Sequence, residues 1–448
     1  MALTSRICQF VVNTEYEDIP SEVIGIAKRC ILDCFGVMIR GSVEKPSKIL
    51  VDYSRSIGGN PESTVVGCGL KTSCLNTALV NGTMAHILDY DDVNLSMLGH
   101  PTAPVLPAAL SIGERNRIHG KDLLTAFVLG FEVECKIGAA LNPGHYKNWH
   151  TTKTLGTLGS AAAVGKMLDL STKEMTHAFG IAGSLASGLK ENFGTMTKSL
   201  HAGLAAEAGV KAALLAKQQF TSATEILEGE MGFVKVFSDR HDMEKVGRNL
   251  GQPYDMLIPG VVFKQYASCS ATHSAIDATI FLVKEYDINP NEVATVECGT
   301  GLVIPDCCIH PSPENGLEGK FSVPFCIAVA LLDRQVNIEH FLDQKVKDQE
   351  VQRVMRRVKT YVHPELAKRG YNESAIVTLK MKDGREYSHE VEVARGNPEK
   401  PLTQDEIVAK FRLCTANILN ENTQKLADSV TNIERMDDVS QIMRFTYA

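Results

Sequence analysis

Apolar residues recur at three- and four-residue spacing through most of the first 250 positions, the pattern of amphipathic helices. The run from Ser21 to Val37 follows Pro20, a residue that suits a helix start, and the run from Asp122 to Leu141 repeats the spacing. Two later helical segments differ in composition. Leu155–Leu170 (LGTLGSAAAVGKMLDL) and Leu200–Leu215 (LHAGLAAEAGVKAALL) consist largely of Gly, Ala and Ser, so neighbouring helices can approach them closely, which predicts that both lie at the centre of a bundle. Past position 255 the texture changes. Val293–Ile304 contains a stretch of alternation, and Ser374–Val393 predicts two strands, AIVTLKMK and REYSHEVEV, turning at Asp383-Gly384. Thr403 reads as an N-cap with Glu406 in the capping-box position, and helical pattern then resumes to the C-terminus.

These elements predict a mainly α fold with an α+β insert. A large all-helical domain covers 1–264 and is completed by 399–448; a smaller α+β insert covers 265–398. Two domains are also what 448 residues imply. With 46 Lys and Arg against 53 Asp and Glu, a net charge of −7, no basic block and one Trp, the chain lacks the electrostatic footprint for nucleic acid or an anionic membrane. No stretch approaches the ~20 apolar residues of a membrane span, and the start has no leader-like apolar core, so a cytoplasmic address is expected. The 12 cysteines are scattered with no CxxC pair and read as reduced, mostly buried small residues.

Chemistry concentrates in a few places. His86-Ile87-Leu88-Asp89-Tyr90-Asp91-Asp92, followed by Gly99-His100-Pro101, gathers three carboxylates and two imidazoles within fifteen residues. Read as a helix end running into a loop, it sets His86 and Asp89 one turn apart on one face and delivers His100 from the loop. A His beside a carboxylate keeps a defined tautomer, which moving a proton near neutral pH requires. His150, with its neighbouring hydroxyls, precedes the first small-residue helix, and Lys198 stands at the same place before the second; free N–H groups at helix starts favour anions. Lys264 and His273 open the insert, and Lys320 lies in Glu318-Gly319-Lys320-Phe321-Ser322. Together, small residues, hydroxyls, imidazoles and amines at helix starts suit a small, multiply charged anion.

Rival motifs fail. Gly159–Lys166 has five residues between its glycines and Met167 where a phosphate loop needs Ser or Thr, and there is no GxGxxG, HExxH or GxSxG. The acidic group with His86 has no second His/Asp pair at ligand spacing, so no metal is expected.

The motifs HxxDxDD…GHP, WHxTxTLGTLGSAAA, NFGTMTKxxHxG and EGKFS together resemble the MmgE/PrpD family, which includes 2-methylcitrate dehydratase, cis-aconitate decarboxylase and iminodisuccinate epimerase. The resemblance runs over essentially the whole chain. It implies a helical domain built from both chain ends, an α+β lid, a homodimer, a small polycarboxylate substrate, and proton transfer on carbon next to a carboxylate with no cofactor. Carried over by position, His100 and His150 would move protons, Asp89 would orient or balance an imidazole, and Lys198 would meet substrate and transition-state charge. Lys264, His273, His86 and Lys320 would bind substrate. Phe325 and Val93 stand where the decarboxylase branch resembles hydroxyl-bearing patterns, which weighs against decarboxylation. The expected activity is therefore a 2-methylcitrate dehydratase-like hydro-lyase, with an iminodisuccinate-type epimerase as the alternative; a cis-aconitate decarboxylase and a non-catalytic carboxylate-binding protein rank behind them.

Overall fold

The computed structural model describes residues 2–239, 241–242 and 249–448. Its architecture is mainly helical with an α+β part, as the periodicity predicts. The small-residue segments form the helices Thr151–Met167 and Met196–Lys217, each beginning four residues before its composition changes. Both lie in the middle of the body. Contact there is so close that a Cβ added at Gly203 would fall 2.1 Å from the Leu79 carbonyl oxygen, and one at Gly209 would fall 2.3 Å from Ser160 Cβ. Leu79 belongs to the helix Cys74–His86, so the absent side chains hold the two site-bearing helices against each other.

The chain's end returns to this body. Thr403 accepts the Glu406 N–H and Glu406 reaches back to the Thr403 N–H, the expected capping box, starting the helix Gln404–Leu419. That helix packs on Ser21–Gly41, with Phe411 against Gly36 and a buried Lys410–Asp33 ion pair at 2.8 Å. One buried apolar cluster thus joins residues from Leu3 to Phe263 with residues from Leu402 to Met443.

A second buried cluster fills the insert. Its four-stranded sheet has the order Val358–Val362, Val293–Thr300, Ala375–Met381, Glu386–Val391. The first pair is parallel and the other two antiparallel. Ala375–Met381 alternates buried and half-buried positions, and the hairpin turns through Gly384 at φ 88°. The alternation expected over Val293–Ile304 stops at Thr300, and Val303–Cys307 forms a short helix instead. The helices His273–Glu285 and Val323–Asp333 pack on the sheet and on each other. Val37, Ile87, Leu88 and Tyr90 of the body belong to this second cluster, so the insert is seated on the end of the His86 helix. Among the described residues no helix is long and apolar enough to cross a membrane.

Candidate active site

The helix Cys74–His86 ends at His86, and the chain then turns. Asp89 lies in that turn at φ 52°, a left-handed conformation that Asp tolerates better than most residues. The expected one-turn pairing of His86 with Asp89 on a helix face is therefore corrected. His86 Nδ1 bonds the Asp91 carboxylate at 2.8 and 3.1 Å, while Asp89 receives two ammonium groups, Lys198 at 2.8 Å and Lys264 in a short contact. Lys198 Nζ also donates to His86 Nε2 at 2.9 Å, which fixes that ring with its proton on Nδ1.

His100 arrives from the following loop. Its backbone N–H donates to Thr152 Oγ1 at 3.1 Å, and Gly99 is needed because a Cβ there would lie 2.5 Å from Thr151 Oγ1. Its ring nitrogens face two carboxylates, Nδ1 at 3.2 Å from Asp91 and Nε2 at 3.9 Å from Asp89. His150 is the residue before the helix Thr151–Met167; its N–H is held by the Gly188 carbonyl at 2.8 Å, and its ring turns inward instead of capping the helix. Its Nδ1 lies 3.1 Å from Nδ1 of His201, and its buried Nε2 has no hydrogen-bond partner. Lys198 is in the first turn of Met196–Lys217 rather than before it. A cation there opposes the helix dipole, and the Asp89 carboxylate offsets that cost.

These groups share one small cavity. Asp89, His100, His150 and Lys198 line it from the body, and Cys269, Cys307 and Glu373 line it from the insert, with Phe193 and Phe321 as apolar wall. Its volume is about 30 Å³, room for a few waters at most. The remaining residues named from the sequence stand behind this wall. Lys264 is fully buried under Asp89, Lys320 donates to the carbonyls of Leu88 and Ala267 at 2.7 Å each, and His273 Nε2 lies 3.3 Å from the Ser268 carbonyl. His86 is one layer deep, reaching the cavity through Lys198 and Asp91.

Burial and charge set the protonation states. Burial pushes Asp89 up, but Lys198 and Lys264 override it and hold the carboxylate well below its usual range. Asp91 behaves likewise, with His100 and His86 as the opposing groups. Burial, reinforced by Lys198, drives His150 well below the usual histidine range, and His86 is lowered to about 3, chiefly by burial. Both are neutral imidazoles at physiological pH. Burial raises Glu373 to about 7, and Ser270 donates to it at 2.8 Å.

Three cavity-side features escaped the sequence reading: Asp91 as the partner of both His86 and His100, His201 behind His150, and Glu373. Asp91 stood within the acidic group and was detectable; the other two meet the site only through the fold. Among the described residues, His86, Asp91 and His100 are the group whose ligand atoms, within 4.8 Å of one another, could hold a metal ion. His86 hydrogen-bonds Asp91, and Asp91 lies 3.2 Å from His100 Nδ1.

The MmgE/PrpD N-terminal domain model matches residues 5–246 and the MmgE/PrpD C-terminal domain model matches residues 266–435. Similar proteins include the cis-aconitate decarboxylases of Mus musculus (27% identical, covering 99% of this chain and 93% of that protein) and Homo sapiens (28%, covering 98% and 93%). The cis-aconitate decarboxylase of Aspergillus terreus is 28% identical over 98% of this chain and 95% of its own. These near-full-length likenesses overturn the ranking that put a 2-methylcitrate dehydratase-like hydro-lyase first and an epimerase second. One physical ground for that ranking also fails: Phe325 is fully buried in the insert's core, packed beside Phe341, and does not line the cavity, so a hydroxyl missing there removes nothing from it.

Proposed function

We propose that this chain, which belongs to the MmgE/PrpD family, is a carboxy-lyase that decarboxylates a small unsaturated tricarboxylate of the cis-aconitate type. The observation that carries the reading is the convergence of Asp89 and His100 from one segment with His150 and Lys198 from two others on one cavity beneath the insert. The near-full-length likeness to cis-aconitate decarboxylases supports the choice of reaction.

In this reading, Lys198 holds a substrate carboxylate, its ammonium shared with Asp89. His100, flanked by Asp91 and Asp89, carries the proton. It delivers that proton to the vinylic CH carbon as the alkene electrons shift onto it; the bond to the departing carboxylate breaks, its electron pair forms the new methylene alkene, and carbon dioxide leaves. The trianion plus one proton becomes a dianion plus carbon dioxide. Neutral His150, with Nε2 free toward the cavity, accepts a hydrogen bond from, or donates one to, the opposite side of the substrate according to its tautomer. Phe193 and Phe321 supply an apolar wall against which a carboxylate is less stable than neutral carbon dioxide.

A cavity of about 30 Å³ is too small for a tricarboxylate, so in this reading the insert moves off the body to admit substrate. We accordingly read residues 1–264 with 399–448 as one unit and 265–398 as the lid, a division supported by the two buried clusters. Lys264, His273, His86 and Lys320 act in this reading by holding the wall that binds substrate. We retain the homodimer as part of the proposal; light scattering on the purified chain tests it.

The function is tested by incubating the protein with cis-aconitate in deuterated water and following the products by NMR. One carbon dioxide per substrate, a methylene alkene and a single deuterium on the former vinylic carbon are expected. Carbon–deuterium exchange without carbon dioxide, or addition of water to the alkene, refutes it.

A further inference from the structure

Three thiols meet in the insert wall of the cavity. Cys269 lies in the loop that follows Lys264, and Cys307 and Cys308 close the short helix Val303–Cys307. Cys269, Cys307 and Cys308 are near enough to perturb one another's protonation, and Cys269 and Cys307 line the cavity itself. The Tyr146 hydroxyl, from the body, lies 3.3 Å from Cys307 Sγ. All three cysteines are free thiols. The acid–base scheme above uses none of them.

The surroundings activate one member of the group. The thiols of Cys307 and Cys308 hydrogen-bond to Cys269 and favour its thiolate, and the Lys264 ammonium adds to this; burial and Asp89 oppose it, and Cys269 ends well below the usual thiol range. Access fits as well. A hydroperoxide is little larger than water and fits a cavity of about 30 Å³ that is too small for a tricarboxylate.

We propose that Cys269 and Cys307 form a peroxide-oxidisable dithiol whose disulfide reversibly blocks the cavity. The Cys269 thiolate attacks one peroxide oxygen, the O–O bond breaks, and a sulfenic acid and hydroxide form. Cys307 then attacks the sulfenic sulfur, forming the S–S bond and releasing its oxygen as a second hydroxide. The two thiol protons convert both hydroxides to water, so two thiols and one hydrogen peroxide give one disulfide and two waters. Joining the two sulfurs requires them to close to ~2.05 Å. That draws the end of Val303–Cys307 toward Ser270, which holds Glu373, and narrows the space for substrate.

The inference rests on the cavity being the active site only for its activity readout; the chemical readout stands alone. The full chain is treated with stoichiometric hydrogen peroxide, denatured, alkylated without reduction and mapped by mass spectrometry. A Cys269–Cys307 linked peptide and two fewer alkylated thiols are expected, both reversed by a dithiol reductant. Decarboxylation should fall by about tenfold or more in step with the linkage, since small misplacements in a site are costly, and should recover on reduction. Cys308→Ser should keep the linkage. Cys307→Ser should abolish it and leave Cys269 as a sulfenic acid that dimedone traps. Linkage only to Cys308, oxidation confined to other cysteines, or no change at either thiol overturns the proposal, even if the chain is an active decarboxylase. If the linkage forms in a chain without decarboxylase activity, the dithiol stands and only the reading of the cavity falls.

Discussion

Asp91→Asn removes a charge while keeping a shape, and its effect follows from three contacts. Asp91 is fully buried, accepts the His86 Nδ1 proton at 2.8 Å and faces His100 Nδ1 at 3.2 Å. An Asn oxygen still accepts from His86, so the lower part of the site keeps its hydrogen bond. What is lost is the anion beside His100. Two unit charges at that separation attract by about 5 kcal/mol at an effective dielectric of ~20. Desolvation and relaxation consume part of this, and Asp89 at 3.9 Å from His100 Nε2 retains some of the balance. A loss of about 4 kcal/mol from the proton-donating state corresponds to a fall in kcat on the order of 10³. KM should change little, because Asp91 does not line the cavity. The assay is carbon dioxide release from cis-aconitate at saturating substrate, with a thermal melt as the control for folding. A variant with an unshifted melting temperature and kcat within threefold of the parent would refute the assignment of His100 as proton donor through Asp91.

Lys198→Ala should raise KM by about 10²-fold, the size of a lost charge-assisted contact, and the split between KM and kcat reads whether the ammonium also meets transition-state charge; unchanged KM removes Lys198 from substrate binding. Glu373, raised to about 7, is neutral below that pH and anionic above it, so affinity for a trianion should fall as pH rises through about 7. KM should rise by roughly tenfold between about pH 6 and pH 8. In Glu373→Gln that rise should vanish, and a KM profile identical to the parent's would show that Glu373 does not face the substrate.

The legible parts of this molecule are those encoded by neighbours along the chain. Asp383-Gly384 between alternating runs, Thr403 with Glu406, and the Gly/Ala texture of two helices each carry a local physical requirement, and each appears where that requirement puts it. The strand Val358–Val362 was not legible. It lies at the sheet's edge with four of its five residues exposed, so burial imposes no alternation on it. The site divides in the same way. The imidazoles and amines do meet in space, because the end of Cys74–His86 and the starts of Thr151–Met167 and Met196–Lys217 face one cavity. Which carboxylate serves which imidazole was misread, since a helix was extended three residues too far and periodicity carries no sign of a left-handed turn at Asp89. His201 beside His150, Cys269 near Cys307 and Glu373 bonded to Ser270 are partnerships between distant segments. The same division explains why the reaction was misranked. A hydroxyl counted as missing at Phe325 mattered only if that side chain reached substrate, and its burial in the insert's core is a property of packing that no local pattern states. In the proposed reading, the choice among reactions that share a first proton transfer falls to the cavity wall, which Val93, Phe193 and Phe321 line, because the imidazoles and amines supply only the capacity to move the proton.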